Sequence, residues 1–198
     1  MNDRDYAAIV LAAGMSSRMG ALKPLLPLAD GTIADHVIAT FLQNEVEVYV
    51  VVGYHKEEII ASIKDRDINI VENPDYEHGM FTSIQAGVRR LGADHKWFFV
   101  MPVDIPLVRP ATIARLKSEA RLHQDSILYP TFGGRRGHPV LLPARLTEPI
   151  MQWEKEGGLK ALLSEDANCV DVAVPDRNIV FDVDSPDDFK EMAERLRH

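Results

Sequence analysis

Cysteine is almost missing from the chain: Cys169 is the only one in 198 residues. That excludes a disulfide framework and a cysteine-built metal centre, and it fits a reducing compartment. Basic charge is short as well, with 22 Lys and Arg against 30 Asp and Glu and a formal net charge of −8. No stripe that neutralises nucleic-acid phosphates is expected, so any bound anion must be met by a local cluster. No apolar run approaches the length of a membrane span, and the opening MNDRDY is polar and acidic, unlike a secretory leader. A cytoplasmic protein with neither nucleic acid nor membrane as partner is the expectation. Linkers, repeats and low-complexity tracts are also lacking, and 46% hydrophobic content over this length suits one domain spanning 1–198 with a full core.

What is there is regular alternation. Apolar, β-branched runs at Ala7–Leu11, Val46–Val52, Ile68–Val71 and Trp97–Met101 read as buried strands. Between and after them, Ile33–Gln43, Lys56–Lys64, Phe81–Leu91 and Ala111–Leu122 read as helices, with Thr32 as a start signal and Pro110 suited to a first turn. Such βαβ order predicts an α/β fold, a Rossmann-like three-layer sandwich around a mostly parallel sheet. From Ser126 the strands crowd, Ile127–Thr131 and Pro139–Leu142 around the turn-rich FGGRRGHP, which predicts an inserted ribbon or lid at the sheet edge around 126–145. A last strand, Ile179–Val183, and a helix at Asp187–Arg197 close the chain.

The first strand leaves through LAAGMSSRMGALKPLLPL, Leu11 to Leu28. Small side chains there let backbone N–H groups approach an anion closely. Two common phosphate loops do not fit: Gly14 and Gly20 are too far apart for G-x-G-x-x-G, and Lys23 lies three residues beyond Gly20 rather than next to it. An anion wrapped by N–H groups from Ala13 to Ser17, with Arg18 and Lys23 as charged clamps, is the chemistry this composition supports. The plain alternative is an ordinary βα loop with two solvated cations.

Carboxylates occur where such a ligand would need a cation. Asp104 follows the run FFVMPV, just beyond a strand end, where open α/β sheets bind ligands. In FDVDSPDDF, Asp182 and Asp184 alternate with Phe181 and Val183, so on a strand both carboxylates share one face. Two carboxylates plus phosphate oxygens suit Mg²⁺. Ser185, Asp187 and Asp188 read instead as a helix start. In NPDYEHGMFTS, Asn73 with Pro74 reads as a turn, while Gly79 and Ser83 can come close to a flat ligand. Trp97 and Phe98 read as core, and His36, His55, His78, His95, His123 and His198 show no ligand spacing.

Taken in order, LAAGMSSRMG, Lys23, NPDYEHGMFTSIQAG, DIPLV, GRRGHPVLL and DVDSPDDF resemble the motifs of the molybdenum cofactor nucleotidyltransferase family along nearly the whole chain. Within it, A-A-G resembles the cytidylyltransferases, where guanylyltransferases usually carry A-G-G. The resemblance implies a fold of the nucleotide-diphospho-sugar transferase type and an enzyme that transfers CMP from CTP to the phosphate of molybdenum cofactor, releasing pyrophosphate. It implies nucleotide binding by Leu11, Ala12, Ala13, Gly14, Ser16, Ser17, Arg18, Lys23, Gly79, Ser83 and Asp104, with Arg18, Lys23 and Asp104 catalytic. Mg²⁺ on Asp104 and Asp184, with Asp182 in reserve, and an acceptor side of Arg136, Gly137, His138 and Pro139 complete the implied site. A molybdoenzyme or its maturation chaperone is a partner the resemblance admits. Val103 stands where cytidylyltransferases often have glycine, and EKEGGLKALL follows its family segment only loosely. GTP as donor, another phosphorylated acceptor, or a non-catalytic cofactor-carrying chaperone therefore stay open as alternatives.

Overall fold

The structure, a computed structural model, describes residues 5–14, 22–63 and 66–196. Strands β1 (Tyr6–Leu11), β4 (Glu47–Val52), β5 (Asn69–Glu72) and β6 (Trp97–Pro102) are all parallel neighbours, in the order β6-β1-β4-β5. Between them, β2 (Pro27–Leu28) and β3 (Gly31–Thr32) form a separate antiparallel pair ahead of α1 (Ile33–Leu42), while α2 (Lys56–Ile63) and α3 (Met80–Val88) make the next crossovers. The second half adds α4 (Pro110–Ala120), β7 (Ile127–Phe132), β8 (Arg135–Arg136), β9 (Val140–Pro143), α5 (Thr147–Gln152), α6 (Gly158–Ser164), β10 (Cys169–Ala173) and α7 (Pro186–Arg195).

The strand β1 shows why three layers form. It is buried along its whole length, and its side chains divide by parity. Tyr6, Ala8 and Val10 pack in one cluster with Val37 and Phe41 of α1, Ile59 of α2, Ile113 of α4 and Met192 of α7. Ala7, Ile9 and Leu11 pack in the other, with Ile84 of α3, Ile150 of α5 and Leu162 of α6. Helix starts follow the sequence signals. Thr32 and Asp35 form a capping box on α1, Pro110 takes the first turn of α4, and Ser185 with Asp188 forms a second capping box on α7.

Three regions differ from expectation. The segment expected as an edge ribbon lies inside the sheet, because β9 runs antiparallel between β6 and β7 with every residue buried, and only the short β8 hangs off β7. The edge belongs to β10, whose CVDVA alternates exposure and gave no strong apolar run. Ile179–Val183 is not a strand: Arg177–Val180 is a 3₁₀ turn, and residues 181–184 pair with no sheet neighbour among the described residues. Asp176 causes the curl, since its carboxylate accepts from the Asn178 and Arg109 N–H groups and the Thr112 hydroxyl.

Candidate functional site

The chain crosses from β1 outward to β4 and β5, then returns to the far side of β1 as β6. That reversal opens a crevice at the carboxyl ends of β1 and β6. Backbone bonds hold its floor: the Ala12 N–H donates to the Val51 carbonyl at 2.8 Å, and the Val103 N–H to the Leu11 carbonyl at 3.2 Å. A cavity of about 300 Å³ lies there, and Leu11, Ala12, Ala13, Gly14, Lys23, Gly79, Ser83 and Asp104, all expected from the sequence, line it together. Gly79 enters α3 with φ of 101°, a conformation that side chains rarely adopt. Ser16, Ser17 and Arg18 lie outside the described residues.

Lys23 opens a short 3₁₀ turn, Lys23–Leu25, and its ammonium is largely buried. Its Nζ donates to Asp184 Oδ1 and stands 3.8 Å from Asp104 Oδ2. One cation thus sits between the two carboxylates that were expected to converge. Burial pushes the Asp104 carboxyl above its ordinary range; Lys23 draws it back down and Asp184 pushes it up again. Two carboxylates at the strand ends beside the cavity are a donor set that a hard divalent cation with phosphate ligands fits. Among the described residues no group of three or more His, Cys, Asp or Glu offers another metal site. Asp182 is exposed.

The segment 177–184 is what brings Asp184 here. Its Val183 N–H donates to the Asp104 carbonyl at 2.8 Å, and its Ile179 carbonyl accepts from the His138 N–H at 2.8 Å. One irregular stretch therefore joins the end of β6 to the turn before β9. Gly137 has no room for a side chain, since a Cβ there would lie 2.3 Å from the Ile179 carbonyl oxygen. His138 precedes a cis bond to Pro139. Burial depresses its pKa, partly offset by a bond with the Val100 backbone and by the charge of Asp182. Its Nδ1 is buried without a partner among the described residues. The expected acceptor residues do not line the 300 Å³ cavity. Arg136 instead bonds Asp171 at 2.6 Å and stacks over the Tyr129 ring, an exposed pairing of β8 with its sheet neighbours.

Tyr76, Glu77 and Met80 also line the cavity and were missed in the sequence. The turn before Gly79 was the available signal. The other histidines make ordinary contacts, as His36 does with the Leu28 carbonyl and His95 with Glu47. Trp97 and Phe98 are core. A larger groove of about 690 Å³ runs between α1, the loop before α4 and the end of α7, but no expected site residue lines it. No helix among the described residues is long and apolar enough to cross a membrane.

Comparison with known proteins gives a consistent picture. Residues 8–170 match the MobA-like NTP transferase domain. The chain is 34% identical over 189 residues to the molybdenum cofactor cytidylyltransferase of Escherichia coli K12, covering 94% of this chain and 95% of that one. It is 30% identical over 138 residues to a probable molybdenum cofactor guanylyltransferase of Bacillus cereus AH187, covering 69% and 66%. In fold it matches Rv0371c of Mycobacterium tuberculosis H37Rv, in a complex with manganese, with a TM-score of 0.81 at 21% identity over 96% of this chain and 98% of that one.

Proposed function

The chain belongs to the MobA-like NTP transferase family, and from that premise we propose that it transfers CMP from CTP to the phosphate of molybdenum cofactor, with Mg²⁺ as its metal and residues 1–198 acting as one domain. The observation that carries this reading is the Lys23 ammonium between Asp104 and Asp184 at the mouth of the strand-end cavity. Two acids and one base meeting beside a cavity are what a nucleoside triphosphate with its cation needs. Bound there by Asp104 and Asp184, Mg²⁺ would supply charge neutralisation for the phosphates.

The chain's own residues then do the following. Backbone groups of Ala12, Ala13 and Gly14 hold the nucleotide close to the end of β1, and Gly79 and Ser83 form the wall across the cavity. Lys23 leaves Asp184 for the triphosphate and meets negative charge as it moves toward pyrophosphate; Arg18 has the same task from the loop. The acceptor phosphate is already largely ionised near neutrality, with a second pKa of about 6, so no protein base is required. Its oxygen forms the new bond to the α-phosphorus while the bond from that phosphorus to the bridging oxygen breaks. Pyrophosphate takes the electron pair. His138 and Arg136 belong to the acceptor side, near the segment 177–184 rather than the nucleotide cavity.

CTP is favoured over GTP because the cytidylyltransferase relative aligns over nearly the whole chain, whereas the guanylyltransferase relative aligns over 69% of it. The A-A-G of the first loop, where guanylyltransferases usually carry A-G-G, supports the same choice, and Ala13 lines the cavity. Pyrophosphate release with each of the four nucleoside triphosphates, Mg²⁺ and molybdenum cofactor tests the proposal. Release fastest with CTP is expected. Release fastest with GTP overturns the nucleotide, and cofactor binding without release with any triphosphate would leave a carrier rather than an enzyme.

A further inference from the structure

Asn73 looks in sequence like half of an Asn-Pro turn. In the fold it is buried, 3% exposed, and every polar group of its side chain is used. Its backbone N–H donates to the Val52 carbonyl at 2.8 Å, tying it to the end of β4. The side-chain Oδ1 accepts from the Asp75 N–H at 3.0 Å, an Asx turn. That bond decides which way the amide faces. Its nitrogen must then face α3, where it lies 3.0 Å from Thr82 Oγ1 and 2.9 Å from Ser83 Oγ.

An amide nitrogen can only donate, so both hydroxyls act as acceptors toward it. The two differ in where their own protons go. Thr82 has carbonyl oxygens of Asp75 and Gly79 both within 2.9 Å. Ser83 has no acceptor for its proton among the described residues, although it is 4% exposed. Ser83 lines the cavity together with Ala12 and Gly79. A buried hydroxyl that already accepts one hydrogen bond and whose proton is uncommitted is a donor waiting for an acceptor.

We infer that Asn73 is a positioning residue that occupies one lone pair of the Ser83 hydroxyl and so orients its proton as a donor to the base of the bound nucleotide. The inference rests on the reading of this cavity as a nucleotide site and adds the chemistry of its wall. The complementary ligand atom is a carbonyl oxygen or an unprotonated ring nitrogen. Cytosine offers both on one edge, O2 and N3, whereas uracil carries a proton on N3. Uracil offers the same O2, so a fixed donor ranks cytosine above uracil by meeting N3, and that is the contact assigned to Ser83.

Asn73→Asp tests it, because a carboxylate accepts where the amide donated and draws the Ser83 proton away from the cavity. Calorimetry would measure binding of CTP, UTP and inorganic tripolyphosphate, which has no base, to the parent, Asn73→Asp, Ser83→Ala and the double variant. Each single change is expected to weaken CTP roughly three- to tenfold, the loss of one ligand hydrogen bond, and to narrow the preference for CTP over UTP. The double variant should lose no more than either alone, and tripolyphosphate binding should be unmoved. Unchanged CTP affinity in Asn73→Asp, losses that multiply, or an equal loss of tripolyphosphate would each overturn the inference. Where Asn73→Asp fails to fold, Ser83→Ala decides: CTP affinity equal to the parent sinks it. A parent that binds GTP in preference to CTP removes the cytidine reading but not this test, because the same four proteins are then compared with GTP.

Discussion

At the scale of single residues, Lys23 and Asp104 are neighbours whose removal should have opposite signatures. Asp104 lies just past a strand end, 28% exposed in its side chain, and packs no core cluster. Asp104→Ala should abolish transfer and leave the melting temperature close to that of the parent. Near-normal turnover in that variant would end the metal assignment. Lys23→Ala leaves the two carboxylates facing each other without their ammonium, so the unliganded protein should melt lower. A divalent cation no longer has to displace Lys23, and by mass action it should raise the melting temperature more than it does in the parent. Nucleotide affinity should fall at the same time. A cation-induced shift equal to the parent's would mean that Lys23 does not compete for that position. Ser83 and Asn73 show why residue identity alone was not enough. Both stood out in sequence, but the bond that gives the pair its polarity spans ten positions and comes from the Asx turn, which only the folded chain reveals.

Among the elements, legibility followed burial. The parallel strands β1, β4 and β6 are covered on both faces, so their uninterrupted apolar runs announced them, and those runs alone were enough to place the residues at their carboxyl ends, Leu11 to Gly14 and Asp104. Ile179–Val183 has the same composition and a different fate, because its hydrogen bonds go to His138 and Asp104 rather than to a strand. Composition reports what a segment buries, and it is silent on what the backbone bonds to. This stretch still delivers Asp184, as alternation on a strand would have done, since Val183 is fully buried and anchors it. Gly137 is the contact on which that delivery depends. Gly137→Ala would drive a Cβ into the Ile179 carbonyl, an overlap of backbone that no side-chain rotation relieves. A loss of about 1 to 3 kcal/mol of stability is expected. Chemical denaturation measures that loss, and cation binding measured beside it should weaken as the segment moves away from Asp104. Unaltered stability and cation binding would show that the segment yields without cost.

For the whole molecule, the acid limb of stability should have two steps with separate causes. Hydrogen bonds from Arg145 to Asp166 and from Ser185 to Asp188 hold both carboxyls below their usual range, so the stability they lend is present above about pH 3.8 and lost as pH falls further. His138 acts earlier. Burial lowers its pKa below the ordinary 6.5, so the unfolded chain takes up a proton that the folded chain refuses. Its contribution is complete above pH 6.5 and declines as pH drops toward the folded value, with a slope of at most about 1.4 kcal/mol per pH unit for one proton. Melting curves between pH 4 and 8 should therefore be level above 7 and begin to fall near 6.5, well before the carboxylates titrate. In His138→Gln the first fall should vanish and the second remain. The substitution removes the imidazole whose pKa burial lowers. A variant whose melting temperature still declines from pH 6.5 would place that early step elsewhere and leave the buried imidazole without a role in the protein's acid sensitivity.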